Sequence, residues 1–170
     1  MWHILRRVAR VGLVETAKLP EPAAPAVARE DLDGELLRLL GRALAVRVVD
    51  AGSCNGCEFE LNALGNAHYN LEGRGVHLVA SPRHADLLLV TGPVSLHMRD
   101  ALLRTYEAMP EPRLVVAVGD CADCGGEFAG SYAVCGGVDA VLPVDLRIPG
   151  CPPAPLQVLQ GLVQVLRRAG

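Results

Sequence analysis

Four apolar runs constrain this chain more than any other feature: LAVRVVD at Leu44 to Asp50, VHLVA at Val76 to Ala80, DLLLVTG at Asp86 to Gly92 and RLVVAVG at Arg113 to Gly119. They are continuous rather than alternating, as in strands buried on both faces, and β-branched residues are common in them. Between them lie stretches of helical character. One follows Cys57 through Glu60 and Asn66. A second, SLHMRDALLRTYEAM, sets Leu96, Leu103 and Tyr106 on one face with Met109 nearby, and Pro110 and Pro112 end it. A final helix is expected over PLQVLQGLVQVLRR, and Val138 to Leu142 is a further candidate strand. Strands alternating with helices imply an α/β fold with a mainly parallel central sheet covered on both faces.

Ahead of this region the chain reads differently. MWHILRRVARVGLV can be written as a short amphipathic helix, with Trp2, Leu5 and Val8 on one side and Arg6, Arg7 and Arg10 beside them. Such a segment suits an anionic surface or a partner's groove. Glu15 to Arg29 is rich in proline and alanine, as in an extended arm. The expected organisation is therefore an N-terminal helix and arm over 1–30 and a single α/β domain over 31–170, opening with a short helix at Asp31 to Leu40.

Composition narrows the function classes. Hydrophobic residues make up 51% of the 170 and charged residues 21%, which places the chain among packed globular proteins. With 16 basic and 19 acidic residues the formal charge is -3, so no basic excess points to nucleic acid. No run reaches the length of a membrane span. The histidines form no H-E-x-x-H pattern, and VGDCADCGG lacks the G-K-S/T of a phosphate-binding loop.

The cysteines are more telling. In a chain of this size, with no apolar leader read ahead of it, six cysteines are expected as reduced thiols. Cys54 and Cys57 follow the first strand in SCNGC, Cys121 follows another in VGDCADCGG, and Cys151 lies in PGCPPAP before the last helix. Loops beyond strand carboxyl ends line the crevice of an open α/β sheet, so these four thiols are expected to converge. Four thiolates suit an iron–sulfur cluster or tetrahedral zinc; a dithiol redox pair and plain buried small hydrophobes are the other readings.

SCNGCEFE, SPRHADLLLVTGPVS, MPEPRLVVAVGDCADCGG and LPVDLRIPGCPP together resemble the small subunits of energy-converting, membrane-associated nickel–iron hydrogenases of the formate hydrogenlyase type. The cluster-bearing 20 kDa subunit of respiratory NADH–quinone oxidoreductase is in the same family. The resemblance runs from about Ala43 to Gly161. It implies a flavodoxin-like three-layer domain with one [4Fe-4S] cluster on Cys54, Cys57, Cys121 and Cys151. Cys124 and Cys135 have no ligand role in it, while Glu60, Arg83 and His84 fall at family positions near the cluster and are candidates for tuning it or coupling it to protons.

The separated Cys54-Asn55-Gly56-Cys57 form resembles the hydrogenase branch, since the respiratory subunit usually carries adjacent cysteines. The function implied is an electron relay between a ferredoxin-like iron–sulfur subunit and a nickel–iron large subunit. The complex would include membrane subunits on the cytoplasmic side of the cell membrane, and the chain would be catalytically incomplete alone. The alternatives are a quinone-reducing subunit of an NADH dehydrogenase-like complex and a non-enzymatic, zinc-stabilised interaction module.

Overall fold

The computed structural model describes Trp2, Arg6 and residues 42–169. The arm expected over 1–30 and the short helix at Asp31 to Leu40 lie outside these residues, apart from Trp2 and Arg6, which are helical and exposed.

The elements are β1 (Leu44–Asp50), α1 (Gly56–Ala63), β2 (Val76–Leu78), β3 (Leu87–Thr91), α2 (Arg99–Glu107), β4 (Leu114–Val118), α3 (Asp120–Cys124), β5 (Leu146–Ile148) and α4 (Pro155–Ala169). The sheet runs β2-β1-β3-β4-β5, and all four pairings are parallel. That is the flavodoxin-like order, whose switch point lies between β1 and β3.

Alternation along the strands builds two cores. Leu44, Val46, Leu87, Leu89, Val116, Val118 and Ile148 face α1 and the apolar side of α4, where Val158, Leu159, Leu162, Val163 and Leu166 are buried. Val49, Leu88, Val90, Val115 and Ala117 face the opposite layer, with Leu102 of α2, Met109, Ala122 of α3 and Val138. Each fully buried Leu or Val stabilises the fold by roughly 1.5–3 kcal/mol.

Two expectations change. Val138 to Leu142 is not a strand: Val138–Ala140 is a 3₁₀ turn, with Val138 and Leu142 both buried four positions apart on one side. The fifth strand is Leu146–Ile148 instead, tied to β4 where the Val115 N–H donates to Asp145 Oδ2 at 2.7 Å and the Asp145 N–H donates to the Val115 carbonyl at 2.9 Å. Three residues ahead of a proline leave too short a pattern to read. The helix expected from Ser95 begins only at Arg99; Leu102 is its buried residue, Leu103 and Tyr106 are partly covered, and Leu96 is exposed ahead of it.

The core predicts a sharp contrast. Leu89→Ala is expected to cost about 2–5 kcal/mol, whereas Leu96→Ser should stay within about 0.5 kcal/mol. Urea unfolding midpoints of the full chain measure both.

Candidate functional site

The loops beyond the carboxyl ends of β1, β3, β4 and β5 meet at one edge of the sheet. They enclose a hollow of about 120 Å³ lined by Cys54, Cys57, Cys121 and Cys151, together with Ser53, Asp120, Pro152 and glycines. The convergence expected of these four thiols is therefore present. Cys57 is buried at the start of α1, Cys121 is half-buried in α3, and Cys54 and Cys151 are exposed. Cys124 and Cys135 lie elsewhere: the Cys124 thiol donates to the Asp120 carbonyl, 3.3 Å away, and Cys135 packs against the α2-side core.

The loop after β1 is shaped from within. Asp50 Oδ1 accepts the Gly52 and Ser53 N–H groups at 2.8 and 2.7 Å, and Ser53 Oγ accepts the Asn55 N–H at 3.0 Å. Asn55, with φ of 67°, turns the chain into α1. The Ser53 hydroxyl donates to Glu58 Oε2 at 2.7 Å, and the buried Thr91 hydroxyl donates to Glu58 Oε1. One carboxylate thus joins the cysteine loop to the end of β3.

Two glycines are required by close approach. At Gly92 φ is 72° and a Cβ would stand 2.6 Å from Ser53 Cα; at Gly119 φ is 87° and a Cβ would stand 2.7 Å from Cys57 Sγ. On the far side, Asp120 Oδ1 accepts the Gly150 N–H at 2.8 Å while the Asp120 N–H donates to the Gly150 carbonyl at 2.9 Å, so the Cys121 and Cys151 loops are cross-tied. Arg147 adds a brace from β5, reaching Asp123 of α3 at 2.6 Å and Asp139 at 3.2 Å.

Burial, then the charge of Glu58, then the neighbouring Cys121, Cys54 and Cys151 push the Cys57 thiol up to about 12. Cys121 is raised as well, by burial first and then by Cys151 and Cys54. Metals take thiolates, and need three or four donors turned onto one point. Among the described residues, no group of three or more His, Cys, Asp or Glu is placed to hold a metal ion.

This overturns the expectation of a [4Fe-4S] cluster on Cys54, Cys57, Cys121 and Cys151, and with it the electron relay built on that cluster. The quinone-reducing and zinc-module alternatives fall on the same point, since each needed metal on those thiols. The four cysteines line one hollow, but among the described residues they do not form a group placed to hold a metal ion.

Of the other candidates, Glu60 is half-buried on α1, and Arg83 and His84 are exposed on the Pro82–His84 turn between β2 and β3. None of the three lines the hollow. Glu58 is the acid that anchors the loop, and Thr91 is its partner. The signal for Thr91 was present in DLLLVTG, where a lone hydroxyl ends an otherwise apolar run.

A family model described as NADH ubiquinone oxidoreductase, 20 Kd subunit, matches residues 54–165. Formate hydrogenlyase subunit 7 of Escherichia coli is 40% identical over 148 residues, covering 87% of this chain and 58% of that protein. The "Probable membrane-bound hydrogenase subunit" of Pyrococcus furiosus is 42% identical over 134 residues, 79% of this chain and 80% of that one. Among solved structures, a chain of the membrane-bound sulfane sulfur reductase, an archaeal respiratory membrane complex, is similar with a TM-score of 0.66 at 32% identity, covering 81% of this chain and 75% of that chain. An NAD+-reducing nickel–iron hydrogenase shares the fold, with a TM-score of 0.57 at 19% identity over 75% of this chain and 93% of that one.

Two outcomes follow. Because the folded state holds Cys57 protonated to about 12, its contribution to stability is full below the unfolded thiol value of about 8.5 and is lost as pH rises toward the folded value. Urea midpoints of the metal-free full chain should therefore fall between about pH 8 and 11, and fall less in Cys57→Ala. Gly92→Ala should destabilise by roughly 1–3 kcal/mol from backbone strain alone, read as a lower unfolding midpoint.

Proposed function

Because the chain belongs to the family of the 20 kDa subunit of NADH–ubiquinone oxidoreductase, which takes in the formate hydrogenlyase and membrane-bound hydrogenase small subunits, we propose that it works as the small, non-catalytic subunit of a hydrogenase-type oxidoreductase complex. Its likeness to named hydrogenase subunits at 40% and 42% identity is the observation that carries this reading. The partner of first rank is a nickel–iron-type large subunit. A ferredoxin-like iron–sulfur subunit is a further partner, and membrane subunits hold the assembly to the bilayer. No helix among the described residues is long and apolar enough to cross a membrane.

The chain's own contribution is a docking edge. Phe59 on α1 is 69% exposed, Leu96 54%, Phe128 44% and Tyr132 95%. All four lie on segments that follow β1, β3 or β4, the edge that carries the cysteine hollow. The Leu96 N–H donates to the Ala133 carbonyl at 2.9 Å, which sets Leu96 beside the Tyr132 loop. Large side chains left in water at one edge mark a surface that another subunit covers. Cys54, Cys57, Cys121 and Cys151 would then sit at the junction of the two subunits, with Glu58 and Asp120 fixing the loops that present them. Glu60, Arg83 and His84 would contribute to the same face of the complex.

Affinity purification through a tag on this chain tests the reading. The wild-type chain is expected to bring down a nickel–iron-type large subunit. Tyr132→Asp should reduce that yield at least about tenfold, the scale of an aromatic anchor lost from an interface core. Recovery of the chain without any hydrogenase-type subunit would sink the proposal.

A further inference from the structure

Ahead of Arg42 the described residues are Trp2 and Arg6, and both are helical and exposed. Residues four apart on a helix share one side. Trp2 is the chain's single tryptophan, yet 74% of it meets water. A helix that packs onto its own domain turns its largest apolar side chain inward, and here the indole is left outside. An indole is apolar over its rings and polar at one N–H, so it favours the boundary between an apolar medium and a wet one.

The sequence around these two residues carries charge of one sign. Arg6, Arg7 and Arg10 fall between Met1 and Val14, and none of the chain's 19 acidic residues does. The chain as a whole has a formal charge of -3, so this basic end stands against an acidic remainder. Projected at about 3.6 residues per turn, the sequence sets His3, Arg6, Arg7 and Arg10 on one side and Ile4, Leu5 and Val8 on the other. Trp2 falls at the border, beside Arg6. A protein groove that takes an amphipathic helix buries the apolar side and makes little demand on the far one. A row of arginines with a tryptophan at its border suits the headgroup level of an anionic bilayer. There guanidinium groups meet phosphates, and the indole sits between acyl chains and water.

We propose that the segment carrying Trp2 and Arg6 is a lipid-contacting site that takes the anionic phospholipid headgroups of a bilayer surface. Arg6, with Arg7 and Arg10 close to it in sequence, draws the segment to the leaflet, and Trp2 places its ring at the acyl boundary. No helix among the described residues is long and apolar enough to cross a membrane, and this contact lies in the plane of the surface instead. A contact so small is reversible. Its effect is to orient a chain already held near the bilayer, where a second weak attachment acts at high effective concentration. The site goes beyond the complex proposed above and does not rest on it: failure to recover a hydrogenase-type subunit would leave it standing.

Trp2 is its own probe, because no other tryptophan contributes to the emission. The full chain is mixed with vesicles of phosphatidylglycerol and phosphatidylcholine, or of phosphatidylcholine alone, then floated while its fluorescence is recorded. With the anionic vesicles the chain is expected to float, and the Trp2 emission to move to shorter wavelength and be quenched by brominated acyl chains. Phosphatidylcholine alone, or high sodium chloride, should suppress both signals. Trp2→Ser should lower vesicle affinity about tenfold or more, as for returning a large apolar side chain to water. Arg6→Gln should lower it about fivefold, for one charge at an anionic leaflet. Both positions are exposed, so the circular dichroism of the chain should stay unchanged in each variant. Absence of flotation on anionic vesicles overturns the proposal, as does flotation that neither substitution weakens. A Trp2 emission shift on joining a lipid-free complex in detergent, with none on vesicles, would make a partner's groove the occupant and overturn it equally.

Discussion

Parallel pairing of five strands in the order β2-β1-β3-β4-β5 governs the rest of the molecule. When all strands run the same way, every strand-to-helix loop leaves at one edge and every return loop at the other. The thiols of Cys54, Cys57, Cys121 and Cys151 come from segments nearly a hundred residues apart, yet need no long reach to share a hollow. Local ties then fix the loops in place. Glu58 spans Ser53 and Thr91, and Asp120 joins the Gly150 segment. Glycines at 92 and 119 let backbone and sulfur pass closer than any side chain would allow.

Much of this was legible because the signals were redundant. Four strands announced themselves as largely apolar runs, although β2 at the border buries only Val76, and their spacing from helical stretches implied the layered architecture. The cysteine-bearing loops could be placed at one edge before any coordinates, since position after a strand carries geometric information. Legibility failed where signals were brief or ambiguous. Leu146–Ile148 is three residues long and owes its pairing to Asp145, a contact with no local pattern. Val138 and Leu142 read equally as strand or turn, because both periods bury them. Glu60 looked the more significant acid, but Glu58 is the one in reach of Ser53 and Thr91.

The metal expectation failed for a different reason. Sequence spacing can bring thiols into one neighbourhood, but it does not state whether their sulfurs turn toward a common point or what protonation state they hold. Here no group of three or more His, Cys, Asp or Glu is placed to hold a metal ion among the described residues. Family membership survives this correction, because it rests on a match across residues 54–165 and not on any one cofactor.

Arg147 has a consequence beyond the brace it provides. β5 closes one flank of the sheet with only three residues, and the middle one is this arginine, held by Asp123 and Asp139. A brief border strand carrying a fixed charge is a poor template for a neighbouring chain to zip onto. At the opposite border β2 is equally brief. Growth of the sheet is thus discouraged on both sides, and a companion protein must meet this subunit through side chains and loops rather than by continuing its backbone ladder.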